Sequence, residues 1–225
     1  MKISQISDIG QRERQQDIIY QNLETQTFAV CDGHGEDGHI AAADVCELIN
    51  DCALMPESEK EILEKFSFIN EQCQWAAHGT TCSVAFKIKD EFLIAILGDS
   101  PVFYRSEGKV YHLAGHGVSN WRNPDLKNLQ EFIYDGRYVR APKSFAMLAM
   151  TRAIGDRVFK ERVGHVPDIY RVKADALALC SDGFMGGAED VAKLFEKRKE
   201  AVDFLEFQRN RFGVSDNFSA LVIYD

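Results

Sequence analysis

The sequence predicts an α+β protein in which antiparallel sheets carry helices on their outer faces, and three observations carry that reading. Short β-branched or aromatic runs recur along the 225 residues, two helical patterns follow one another directly, and no repeat, low-complexity tract or Ser/Pro-rich linker divides the chain. The regular β-α-β alternation of a doubly wound parallel sheet is missing. Strands are expected at residues 17–21, 27–31, 82–88, 92–97, 102–105, 109–113, 176–180 and 219–224. Ala41, Val45, Leu48, Ile49 and Cys52 recur at the spacing of one helix face, as do Ile62, Phe66, Ile69 and Cys73, and Val191, Leu194 and Phe195 begin a third helix. Residues 114–155 show weak periodicity, many polar side chains and a turn-like Asp135–Gly136 pair. An irregular segment of the kind that carries substrate contacts is expected there.

Bulk properties narrow the function classes. The length and the 45% apolar content suit one domain, residues 1–225, with a substantial core. A net charge of −9 gives no general attraction for phosphate backbones or anionic lipid, so neither nucleic acid nor membrane is expected as a partner. The amino terminus, MKISQISDIGQRERQQD, has no apolar stretch of signal-peptide length, and no segment approaches the roughly 20 apolar residues of a membrane span. The mature chain is expected to begin at Met1 and to be cytoplasmic. Six cysteines (Cys31, Cys46, Cys52, Cys73, Cys82, Cys180) stand in apolar contexts without a C-x-x-C pair, which reads as reduced, buried thiols.

The chemistry lies in aspartates that end strands. Apolar runs stop at Asp32 in FAVCDGHG, at Asp99 in ILGDS and at Asp182 in LCSDGF, while Asp216 in VSDNFS precedes the final strand. Any one of these reads as a turn former through Asx hydrogen bonding. If the strand ends share one edge, the carboxylates raise one another's pKa unless cations neutralise them. Oxygen-only ligation suits Mg²⁺ or Mn²⁺ rather than zinc. His34, two residues beyond Asp32, has the chemistry of a general acid or base. Arg12 and Arg14 in GQRERQQD have the fork that matches phosphate oxygens, though alone they read as a solvated turn. His39, His78, His112, His116 and His165 have no such neighbour, and Gly33, Gly35 and Gly38 lack the G-x-G-x-x-G spacing and the lysine of phosphate-binding loops.

Taken in order, seven segments resemble the metal-dependent serine/threonine protein phosphatases of the PPM (type-2C) family: GQRERQQD, AVCDGHGEDG, GTTCSVAF, AILGDSPVFYR, LAMTRAIGD, ALCSDGF and SDNFSALVI. The resemblance spans nearly the whole chain. It implies a four-layer α-β-β-α sandwich, two central antiparallel sheets flanked by helices, with a binuclear Mg²⁺ or Mn²⁺ centre at one end and a short variable flap around residues 114–155. By resemblance, Asp32 bridges the metal pair, Gly33 lends its carbonyl, and Asp182 and Asp216 complete the first site. Asp99 matches the ligand of a third, weaker ion, Asp17 the carboxylate supporting the attacking water, Arg12 the phosphate-binding arginine and His34 the histidine that protonates the leaving oxygen. Asn217 reads as a supporting or turn residue, and Thr80, Thr81, Arg152 and Asp156 as structural signatures.

The family pattern is broken at Gln16, which stands where a glutamate usually ligates the second metal; a neutral amide holds that ion more weakly. Pro101 replaces an arginine, Glu36 a glycine, and Gly115–His116 an Asp-His pair. The resemblance implies phosphoserine/phosphothreonine hydrolysis by a metal-bridging water on a phosphoprotein substrate, in a monomer. A phosphatase-like binding or regulatory module, favoured by Gln16, is the competing expectation, and a phosphatase of small phosphoesters a third.

Overall fold

The computed structural model describes residues 1–51, 56, 58–113 and 115–225. Two large antiparallel sheets stack face to face. Strands β1 (Lys2–Asp8), β2 (Asp17–Asn22) and β3 (Thr27–His34) come first, followed by helices α1 (Gly38–Asp51) and α2 (Glu59–Gln72). Next come β4 (Gly79–Thr80), β5 (Cys82–Ile88), β6 (Glu91–Leu97), β7 (Val102–Ser106) and β8 (Lys109–Leu113). The 114–155 region holds α3 (Leu126–Leu129), β9 (Ile133–Tyr134), β10 (Tyr138–Arg140), β11 (Met147–Leu148) and β12 (Ile154–Gly155). The chain closes with β13 (Asp168–Val172), β14 (Ala176–Cys180), α4 (Ala188–Glu196), α5 (Ala201–Arg211) and β15 (Phe218–Tyr224). One sheet runs β1-β15-β14-β7-β8, the other β12-β4-β3-β5-β6-β13 with β2 also on β3.

Strands between two apolar layers bury both faces, which is why they read as continuous apolar runs. Phe28 and Val30 of β3 meet Leu177, Leu179, Leu221 and Ile223 of the opposite sheet, while Ala29 and Cys31 face Val45, Ile49, Ile62 and Phe66 of α1 and α2. On the far side, Ala178, Cys180, Ala220 and Val222 pack against Val191 and Phe195 of α4 and Phe204 of α5. The result is the expected α-β-β-α sandwich. Ser58 caps α2, its Oγ accepting from the Glu61 amide at 3.3 Å and donating to the Glu61 carboxylate at 3.0 Å. Asp203 accepts from the Glu200 amide at 2.8 Å and starts α5 in the same way.

The 114–155 segment departs from the expectation of an irregular stretch. Its short strands form a sheet of their own, β11-β10-β9, over a small core of Val118, Val139, Leu148, Met150 and Phe159. Its root is fixed by Arg152, which donates to both Asp125 oxygens (2.7 and 3.0 Å) and to Asp168 (2.9 Å). His116, the buried imidazole of that network, bonds to Asp168 at 3.2 Å, and that bond, helped by Arg152, holds the Asp168 carboxyl down at about 2. The helix expected through Cys52 is described from Gly38 to Asp51, and Cys52 lies outside the described residues. Among the described residues, Cys31, Cys46, Cys73, Cys82 and Cys180 are free and buried, and no helix is long and apolar enough to cross a membrane.

Candidate active site

Antiparallel pairing brings the strand-ending aspartates to one end of the sandwich. Asp17 opens β2 opposite Asp32 near the end of β3, and the end of β14 at Cys180 faces the start of β15 at Ala220, so Asp182 and Asp216 flank that junction. At Asp32 the strand changes partner, from β5 to β4, and Thr81 fills the corner. The Thr81 Oγ accepts from the Asp32 amide at 3.0 Å, the Thr81 amide donates to the Asp32 carbonyl at 2.9 Å, and its hydroxyl lies 2.7 Å from that of Ser100. These bonds fix the Asp32 backbone while leaving its side chain free for other partners. The strand expected to stop at Cys31 runs on through His34, so Asp32, Gly33 and His34 sit on a rigid element rather than in a loop.

Apart from Asp216, which pairs with Arg12, the carboxylates repel one another more than the protein compensates. Burial lifts Asp17 from 3.8 to about 6, Asp182 adds to the effect, and the nearby Ser181 and Ser219 hydroxyls oppose it. Asp32 is pushed well above the carboxylate range by burial and then by the charges of Asp182, Asp17 and Asp99. Asp99 rises to about 7, by burial first and Asp182 second. Asp182 is raised by the protein packed around it and by Asp216, although its surface is open to water. Both carboxylate oxygens of Asp17 and Oδ1 of Asp99 are buried without a hydrogen bond. Unpaired buried oxygens beside mutually repelling carboxylates fit a hard divalent cation, since such a charge satisfies all of them at once. Among the described residues no group of three or more His, Cys, Asp or Glu side chains is placed to hold a metal ion, so the fit rests on this donor chemistry.

The remaining predicted residues surround the carboxylates. Arg12, on the exposed turn after β1, bonds to Asp216 Oδ2 at 2.5 Å. Gln16 turns its amide nitrogen to the Gly35 carbonyl at 2.7 Å, and its own carbonyl accepts from the Gly33 amide at 3.1 Å. Asn217 is a staple for the 9–16 turn: its Oδ1 accepts from the Gln16 amide at 2.8 Å and its Nδ2 donates to Ile9 and Arg14 carbonyls, each at 3.0 Å. A cleft of about 380 Å³ opens beside Asp99 and Asp182, walled by Pro101, Phe103, Phe184 and Met185.

The sequence model of the family described as Protein phosphatase 2C matches residues 9–185, well over half of the chain. The chain belongs to the protein phosphatase 2C family. Among its relatives, Protein phosphatase 1K, mitochondrial, of Xenopus laevis is 28% identical over 241 residues, covering 92% of this chain and 61% of that protein. Probable protein phosphatase 2C 59 of Arabidopsis thaliana is 28% identical over 220 residues, covering 87% of this chain and 68% of that one. The chain therefore spans about three fifths to two thirds of these relatives. Among solved structures, the PPM Ser-Thr phosphatase MsPP from Mycobacterium smegmatis superposes with a TM-score of 0.69 at 21% identity, over 100% of this chain and 98% of that one. A C. elegans sex determining protein gives a TM-score of 0.77 at 21% identity, over 99% of this chain and 64% of that one.

Within this phosphatase 2C fold, one residue read from sequence as a structural signature stands in the site. Asp156, 1% exposed, bonds to His34 Nε2 through Oδ2 at 2.5 Å. The only sequence signal for it was its place at the end of the matched segment LAMTRAIGD; nothing local separates it from a turn aspartate.

Proposed function

We propose that this phosphatase 2C chain is a metal-dependent phosphoprotein phosphatase that hydrolyses phosphoserine and phosphothreonine by direct attack of water, with no covalent phosphoenzyme. The observation that carries the reading is the gathering of Asp17, Asp32, Asp99, Asp182 and Asp216 at one end of the sandwich, with unpaired oxygens on Asp17 and Asp99 and raised pKa values at Asp17, Asp32, Asp99 and Asp182 where divalent ions would sit. Asp32, Asp182 and Asp216, with the Gly33 carbonyl, would hold Mg²⁺ or Mn²⁺, and Asp99 a further, weaker ion. Bound there, the metal supplies an activated water and draws charge from the phosphoryl oxygens. Arg12 grips those oxygens with its fork once it leaves Asp216. Asp17, with both oxygens unpaired, accepts a hydrogen bond from the attacking water and orients it. His34 gives a proton to the serine or threonine oxygen as its bond to phosphorus breaks.

One observation favours the competing reading of a binding or regulatory module. Gln16 spends its amide on Gly35 and brings no charge to the second ion. The two readings separate in one assay, turnover of a phosphoserine peptide titrated with Mn²⁺ and quenched with EDTA. Turnover that rises with Mn²⁺ and vanishes with EDTA is expected; none at millimolar Mn²⁺ favours the module. Gln16→Glu restores a charged ligand and is expected to lower the Mn²⁺ concentration for half-maximal rate by about tenfold, the equivalent of ~1.4 kcal/mol of binding. An unchanged requirement removes Gln16 from the metal centre.

A further inference from the structure

Asp156 has the marks of a residue built into place at some cost. It follows Gly155 in a left-handed turn, with φ +57° and ψ +38°, a conformation unusual for a residue with a side chain. The turn is held by the Asp156 amide, which donates to the His78 carbonyl at 3.2 Å, and by its carbonyl, which accepts from the Phe159 amide at 2.9 Å. Its carboxylate is buried, where an ionised group is costly unless paired. Its partner is His34.

The route between them is cleared by the sheet itself. Across three neighbouring strands, His34 of β3 pairs with Gly79 of β4, and Gly79 with Gly155 of β12. A Cβ on Gly79 would stand 2.3 Å from Asp156 Oδ2 and 2.3 Å from the Ile154 carbonyl. Only glycine at that rung lets the carboxylate pass to the imidazole, 122 residues away along the chain. At the ring, Nε2 is taken by Asp156, while Nδ1 is buried and has no hydrogen-bond partner among the described residues.

We propose that Asp156 is a positioning residue for proton transfer: by accepting from Nε2–H it fixes the rotamer of His34, so that the proton given to the leaving group, directly or through one water, is the one the imidazolium carries on Nδ1. The inference rests on the phosphatase reading above. In the step, water oxygen bonds to phosphorus, the phosphorus–oxygen bond to the seryl side chain breaks with its electron pair on that oxygen, and the Nδ1 proton of the His34 imidazolium converts it to the hydroxyl; the water's protons leave with inorganic phosphate, and the neutral ring keeps its Nε2–H on Asp156. A carboxylate that orients an imidazole matters in proportion to how much the leaving oxygen needs the proton. A phosphoserine peptide releases an alkoxide, which needs it. p-Nitrophenyl phosphate releases a phenolate, which does not.

The test is the ratio of the two rates in Asp156→Asn, an isosteric change, with circular dichroism melting as the check on folding. kcat toward the phosphoserine peptide is expected to fall ~10–100-fold and kcat toward p-nitrophenyl phosphate less than ~3-fold, with KM for either little changed. Equal losses on both substrates make Asp156 a structural pin and overturn the proposal, as does no loss on either. A wild-type chain inert toward both substrates at millimolar Mn²⁺ overturns the phosphatase reading itself, and the proposal with it. A second measurement survives a variant that does not fold: long-range ¹H–¹⁵N spectra of the wild-type protein are expected to show His34 with its proton on Nε2 and one ring orientation. A neutral ring with its proton on Nδ1 alone, or a ring that exchanges freely, overturns it as well.

Discussion

Replacing Asp32 by asparagine is expected to abolish metal-dependent turnover, by at least ~10³-fold, and at the same time to raise the melting temperature of the chain in EDTA. The two effects have one cause. Asp32 sits among Asp17, Asp99 and Asp182, and burial and their charges push its pKa far up, which is the signature of a charge the fold tolerates rather than wants. An amide has the same shape without that charge. The backbone is unaffected, because the bonds of Asp32 to Thr81 use its main-chain groups alone. Relieved repulsion therefore appears as stability, at about 2–4 °C in melting temperature for each kcal/mol in a chain of this size. The same change removes a carboxylate that stands among Asp182, Asp17 and Asp99, and several kcal/mol of charge stabilisation in the transition state corresponds to a thousandfold or more in rate. Melting with and without Mn²⁺ reads the link directly: the ion is expected to stabilise wild type and to leave Asp32→Asn where it was. A variant that still turns over with Mn²⁺, or that still gains stability from it, places the cation elsewhere.

The same tension explains why the clustered carboxylates were legible in the sequence while their surroundings were not. An apolar strand that ends at Asp32, Asp99 or Asp182 breaks its own pattern within a few residues, so the signal is local. Asp216 is visible for the same reason before the final strand, whereas Asp17 entered only through the family resemblance. What convergence adds is non-local: the pairing of Asp17 with Asp32 follows from the β2–β3 register, and the approach of Asp182 follows from two sheets stacking, which no window of sequence contains. The family resemblance supplied the layers in advance, and the packing of three apolar clusters between four layers bears it out.

Other elements were hidden for identifiable reasons. Strands β1 and β13 are edge strands with half-exposed faces, so KISQISD and DIYRV lack the unbroken apolar run of the central strands. Helix α5 buries Gln208 in its packed face beside Phe204 and Leu205, which blurs the stripe; the glutamine side chain is used, accepting from Met185 and donating to the Gly213 carbonyl. Between 114 and 155 the strands are two or three residues long, too short for a period to show, and their core is assembled from residues scattered over some forty positions. Asp156 needed a ladder of three strands to reach His34.

A methyl group on Gly33 is expected to damage both the fold and the chemistry. Gly33 follows Asp32 in β3, and the first residue of α1, Gly38, lies directly over it. A Cβ built on Gly33 would fall 2.0 Å from the Gly38 carbonyl oxygen and 2.8 Å from that of Gln16, whereas ordinary contact begins near 3.4 Å. These are backbone atoms, which cannot swing aside as a flexible side chain would. Gly33→Ala must therefore lift the start of α1, or twist the end of β3, by an ångström or more. Overpacking of that kind costs about 1–3 kcal/mol. The displaced atoms carry Asp32 on one side and His34 on the other, and an ångström of misplacement at reacting groups lowers turnover ~10²-fold. Urea unfolding and phosphopeptide turnover measured on the same preparation check both halves. A lower urea midpoint with rates that stay low after correction for the folded fraction is the expected pair of results. Wild-type values for both would mean that α1 and β3 do not meet as closely as the geometry requires, and with that the carbonyl of Gly33 would lose its claim to a place beside the cation.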